Sequence, residues 1–132
     1  MNTADRIDAL ERHHLGLERR LQALEAHTVT KVDVTVRRIV QIVAEVFGQD
    51  AQMMLSPRRW KPLAMARQCA MALAAKHSAR SLAEIGRRLD RDHTTVMHGV
   101  QAHEQRLRTD ARYAALARRA EAIITTQTET RA

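Results

Sequence analysis

Apolar residues recur along this chain at alternating intervals of three and four, the signature of helices with one buried face. The first run is Ile7, Leu10, His14, Leu17, Leu21 and Leu24; the second is Val36, Ile39, Val40, Val43, Val46 and Phe47. Only two prolines and four glycines interrupt the pattern in 132 residues, and Phe47, Trp60 and Tyr113 are the whole aromatic complement. The core must come from Ala, Leu, Ile, Val and Met, which suits small, closely packed helices. The expectation is an all-α fold: a domain of about six helices over residues 33–126, preceded by a heptad helix and short linker over 1–32 and followed by a frayed tail over 127–132.

The first run is a strict heptad over three repeats. With Ile7 at position a, the e positions hold Glu11, Glu18 and Glu25, and the g positions hold Arg6, His13 and Arg20. A parallel two-stranded coiled coil sets g of one chain against e of its partner, so opposite charges meet; an antiparallel pair would set like against like. The pattern predicts a parallel homodimer with Ile7, Leu10, His14, Leu17, Leu21 and Leu24 in the seam. The alternative is a single amphipathic helix packed on its own domain or docked on a partner.

Charge is unevenly spread. The formal net charge is +7, and nearly all of it falls between residues 33 and 108 while residues 1–32 balance. A basic middle on a neutral frame is an electrostatic footprint for a polyanion. Met1–Leu10 lacks the apolar core of a signal peptide, and no apolar run reaches membrane-spanning length. Cys69 is the one cysteine, which excludes a disulfide framework. The expected compartment is the cytoplasm, in association with the nucleoid.

Further signals punctuate the chain. Asp33 or Thr35 starts a helix that Gly48 ends near Phe47; a short turn covers Ala51–Leu55 and stops at Ser56-Pro57. Pro62 suits the first turn of a helix reaching about His77. Ser81-Leu82-Ala83-Glu84 reads as a capping box for two turns ending near Leu89. Asp92 caps another helix to about Leu107, and a last one covers roughly Asp110–Thr126.

The helices Ser81–Leu89 and Asp92–Leu107, joined by a tight turn, have the proportions of a helix-turn-helix. Val96, Val100 and Leu107 give the second an apolar stripe, while Thr94, His98, Gln101 and Gln105 line another face. It opens with Asp92, His93, Thr94 and Thr95, all able to exchange hydrogen bonds with base edges, and polar residues there are what major-groove reading requires. Ordinary capping by Asp92, with the threonines merely solvated, would produce the same local pattern.

The stretch Arg91-Asp92-His93-Thr94-Thr95-Val96-Met97-His98 resembles the signature of the C-terminal DNA-binding domain (domain IV) of the bacterial replication initiator DnaA. The resemblance extends through Ala83-Glu84-Ile85-Gly86, Arg67-Gln68-Cys69-Ala70-Met71 and the basic loop Leu55-Ser56-Pro57-Arg58-Arg59, covering about Val34–Leu107. It implies double-stranded DNA as partner. Arg91, Asp92, His93, Thr94, Thr95 and His98 fall within the recognition signature, Asp92–Thr95 corresponding to the base readers. Arg59 corresponds to the arginine entering the neighbouring minor groove. Arg67, Gln68 and the backbone at Leu82 and Ala83 correspond to phosphate holders. Thymine methyls suit threonine methyls, and a narrow A·T minor groove attracts arginine.

The departures thin the phosphate contacts. The turn before Arg91 is one residue shorter than the family's, Met65-Ala66 replaces an Arg-Pro, and Pro57, Trp60 and Pro62 interrupt the basic loop. No Gly-rich phosphate loop with Lys-Ser/Thr occurs, so no ATPase motif is present. The chain looks like a stand-alone relative that keeps the DNA-reading domain and adds a dimerisation helix. Its expected role is sequence-specific binding at DnaA-box-like sites, regulating replication initiation or transcription. The alternative is an adaptor that contacts replication initiation proteins through the same fold with weak DNA binding. Neither catalysis nor a cofactor is expected: Cys69 has no sequence-local base, and the five-residue spacing of His93, His98 and His103 rotates each about 140° from the last, so no metal site forms.

Overall fold

Thr35 sets where the first helix begins. Its side chain accepts a hydrogen bond from the Arg38 N–H at 3.1 Å, and α1 runs Val36–Phe47. The structure, a computed structural model, describes residues 34–130; the heptad run Ile7–Leu24 and its dimer seam lie outside them. α1 buries Val36, Ile39, Val40, Ile42, Val43 and Ala44 and stops at Gly48, whose φ of 67° is the left-handed conformation glycine adopts without steric cost.

α2 (Ala51–Met54), capped by Asp50, is a single turn. α3 (Lys61–His77) is the central helix, burying Leu63, Ala66, Cys69, Ala70, Met71, Leu73 and Ala74. Helices α4 (Leu82–Leu89) and α5 (His93–Thr109) follow, and α6 (Ala111–Thr130) closes the array. A Cβ at Gly99 would run into the Met71 sulfur, so the missing side chain lets α5 lie close on α3.

Tyr113, Ala117, Ala120 and Ile124 form the buried stripe of α6, at the spacing of one helical face. Asp110 starts α6 by accepting from the Tyr113 N–H at 3.0 Å. The helix continues beyond Thr126, where fraying was expected, to Thr130; Arg38 of α1 donates to the Gln127 side chain at 3.1 Å. Glu121 meets Lys76 at 3.0 Å and His77 at 2.9 Å.

A buried polar cluster sits where α3, α5 and α6 meet. The Tyr113 hydroxyl lies 2.7 Å from His103 Nδ1, and the Tyr113 ring meets Phe47 edge-on at 5.6 Å. Burial pushes the Cys69 thiol up to about 12 and the Tyr113 hydroxyl up as well, and it pushes His103 down. All three stay neutral at physiological pH, as groups taken out of water must unless paired with charge.

Candidate nucleic-acid interface

The turn between α4 and α5 is built around Gly86. A Cβ there would collide with the Arg91 carbonyl, so only glycine lets the chain fold back this tightly. Asp90 takes the left-handed conformation at φ 55°, a role that short polar side chains tolerate better than most. The Arg91 N–H then closes the turn on the Gly86 carbonyl at 2.7 Å.

Ser81 starts α4 by accepting from the Glu84 N–H at 3.1 Å. The Glu84 carboxylate reaches Arg80 at 3.5 Å, so Ser81 supplies the capping bond while the acid turns to its neighbour. The Leu82 side chain is buried and Ala83 is exposed; their N–H groups belong to the first turn, whose donors have no intrahelical acceptor. Asp92 starts α5, its Oδ1 accepting from the Thr95 N–H at 2.8 Å. Hydrogen bonds from Thr95, with His93 nearby as a smaller influence, hold the Asp92 carboxyl below its ordinary value. Asp92 is therefore a fixed carboxylate with acceptor capacity left over.

Helical arithmetic places Thr94, His98, Gln101 and Gln105 within a narrow arc opposite the buried Val96 and His103, with His93 and Thr95 flanking it. His93, Thr95, His98, Gln101 and Gln105 are exposed and Thr94 is half-buried. The expected reading face is thus turned outward at the start of α5.

The loop joining α2 to α3 is pinned from within by Arg67. This side chain is only 6% exposed. It donates to the carbonyls of Met54 at 2.6 Å, Ser56 at 2.8 Å, Met53 at 3.0 Å, and Arg58. The resemblance assigns Arg67 to phosphate; in the folded chain four of its contacts are loop carbonyls, so its first role in the fold is to pin the loop that carries Arg58 and Arg59. Burial first, and the neighbouring Arg91 second, lower its pKa.

Arg91 also turns inward. It donates to the carbonyls of Leu89 at 3.1 Å and Asp90 at 3.0 Å, and to that of Ser56. Two guanidinium groups therefore share the Ser56 carbonyl and lock the loop against the turn before α5. Gln68 is half-buried and accepts from Arg106 Nε at 3.0 Å, which leaves only its amide donors for phosphate. Arg58, Arg59, Trp60 and Lys61, by contrast, are exposed on the outer side of the same loop.

The structure thus brings Arg59 and the Asp92–Thr95 segment onto elements braced to each other, with Arg67 and Arg91 as the braces. The Ser56 carbonyl was missed by sequence reasoning, because backbone acceptors leave no trace in residue identity. Gly86 was legible as a residue but not as the point of collision. Among the described residues no three His, Cys, Asp or Glu side chains gather to hold a metal ion, and no helix is long and apolar enough to cross a membrane.

The family described as bacterial dnaA protein helix-turn-helix matches residues 36–102. Over 82 residues the chain is 45% identical to the chromosomal replication initiator protein DnaA of Cereibacter sphaeroides, covering 61% of this chain and 18% of that protein. It is 37% identical over 110 residues to the protein of the same name from Wolbachia pipientis wMel, with 76% and 24% covered. For the Porphyromonas gingivalis protein of that name the identity is 35% over 101 residues, with 76% and 21% covered. The chain spans about a fifth of the length of these relatives.

Proposed function

Because this chain belongs to the bacterial dnaA protein helix-turn-helix family, we propose that it binds double-stranded DNA at DnaA-box-like sites and so regulates replication initiation or nearby transcription. The observation that carries this reading is the outward face at the start of α5. Asp92, His93, Thr94 and Thr95 are presented there on a capped helix end, beside a loop whose outer side holds Arg58, Arg59 and Lys61. Thr95, His93 and the Asp92 carboxylate address base edges, the exposed cations and the first-turn N–H groups at Leu82 and Ala83 hold phosphates, and Arg59 enters the adjoining minor groove. The heptad segment supplies dimerisation, presenting two such faces to one duplex, in the cytoplasm and on the nucleoid.

The test is a competition between a duplex carrying a DnaA-box-like site and a scrambled duplex of equal length. Thr95→Ala is expected to cost about 1–3 kcal/mol on the first and little on the second. Equal losses on both would remove Thr95 from base reading, and no preference in the unaltered chain would remove site-specific binding.

A second reading has one observation in its favour. Arg67 and Arg91 direct donors to loop and turn carbonyls, so fewer of their N–H groups are left for phosphate. An adaptor that docks on replication initiation proteins would need no more. The salt dependence of duplex binding separates the two, since each phosphate neutralised adds about one unit to the slope; a slope near zero favours the adaptor.

A further inference from the structure

The loop that carries Arg58 and Arg59 also leaves a large apolar side chain in the open. Trp60 is 61% exposed, more than Leu55 and Ile123, the other exposed large hydrophobic side chains among the described residues. It also stands where a capping residue belongs. Helices α1, α2, α4 and α5 are each started by a side chain that accepts a backbone N–H, from Thr35, Asp50, Ser81 and Asp92. Trp60 occupies the same position for α3 and makes no such bond. An indole there forgoes the side-chain cap and exposes apolar surface to water, and both cost stability. Proteins break such local rules at functional sites, where a residue acts on something outside the chain.

Position says what that something is. Trp60 lies between Arg59 and Lys61, with Arg58 one residue further back, and all of them are exposed. The inner side of the loop is fixed by Arg67, and the Ser56 carbonyl is held from the α5 side by Arg91. The indole is thus carried on a rigid loop braced to the reading helix and flanked by cations. A partner that meets the cations with negative charge and offers flat apolar surface between those charges is the sugar–phosphate wall of a nucleic-acid groove.

We propose that Trp60 is a DNA-contacting residue, its indole packed on deoxyribose along the wall of the groove that Arg59 enters. The proposal rests on the DNA-binding reading above and adds a contact to it. The contact buries apolar surface and reads no base edge, so it raises affinity for scrambled duplex as much as for a specific site.

Trp60 is the chain's single tryptophan, so the full-length protein carries its own reporter. A labelled duplex bearing a DnaA-box-like site is titrated while its anisotropy, the indole emission and the quenching of that emission by acrylamide are followed together. The expected result is a change in emission and clear protection from acrylamide that saturate with the anisotropy. Trp60→Ala should bind both this duplex and a scrambled one about tenfold more weakly, and Trp60→Phe should recover most of the loss. As a control, Ala115→Trp in the Trp60→Phe background places an indole on the exposed outer face of α6, where it should stay fully quenchable. Binding by anisotropy with Trp60 still open to acrylamide overturns the contact while sparing the DNA-binding reading. Absence of any duplex binding overturns both.

Discussion

The two ends of α5 are held in place by different physics. At its C-terminal half the helix is anchored by burial: His103 and Tyr113 satisfy each other inside the core, and Gly99 lets the backbone settle on Met71. At its N-terminal end the helix is held from outside, by a cap from Asp92 and by Arg91 and Arg67 gripping loop carbonyls. An end anchored by burial is fixed by the core on one face, with Gln101, Glu104 and Gln105 exposed on the other. An end braced by hydrogen bonds keeps His93, Thr95 and His98 exposed while still fixed in direction. A reading surface needs the second arrangement and depends on the first.

Removing the brace should break this contrast most. Arg67→Ala removes one donor from each of four carbonyls, of which Ser56 keeps Arg91 and Met53 keeps the Ser56 N–H, and is expected to cost about 1–3 kcal/mol of stability, read as a lower urea midpoint. Arg67→Lys should recover little, because one ammonium cannot serve four acceptors arranged around a planar fork. A small change would mean that the loop carbonyls find water at no cost, and the loop is then not rigid.

Tyr113→Phe attacks the opposite end. Losing the hydroxyl leaves His103 Nδ1 without its partner in the core, at about 1–3 kcal/mol of stability. Duplex affinity measured well below the unfolding transition should be unchanged. An equal loss of affinity would show that the two ends are coupled through the helix.

Arg59→Ala should leave stability intact and weaken duplex binding by about 1–2 kcal/mol. Arg118→Ala, exposed on α6, should change neither stability nor binding. Equal effects from the two would mean that binding follows overall charge and ignores the braced loop.

The smallest expected effect is the dependence on pH. Burial lowers the His103 pKa from 6.5, with Lys76 adding to the effect and Glu121 opposing it. The unfolded chain therefore takes up a proton before the folded one does. This contribution is fully present above about pH 6.5 and is lost as pH falls below it. Urea titrations at pH 7.5 and 5.5 should show the decline, and His103→Asn should flatten it. Asp92, whose pKa is lowered, remains ionised across that interval, so its cap contributes nothing to the slope.

Much of this was legible along the chain because its causes are local. Thr35, Ser81 and Asp92 cap the helices their spacing announces, since a side-chain oxygen three residues before an N–H reaches it whatever the rest of the fold does. The exposure of Thr95 and His98 followed from the same helical period that buries Val96. Past Thr126 the local signal pointed to fraying, while the last helix runs to Thr130 and Gln127 meets Arg38 of α1.

The amino-acid sequence by itself determined the helices, the turn at Gly86–Asp92 and the polar start of α5, because hydrogen bonds and side-chain periodicity within a few residues decide them. Only the tertiary structure decided which arginines are free. Arg67 and Arg59 are the same residue type eight positions apart, yet Arg67 donates to carbonyls 9 to 14 residues away while Arg59 faces solvent. That choice is made when the loop closes over α3 and offers four backbone oxygens at one point. A guanidinium takes the acceptors placed around it, and their positions are a property of the folded chain.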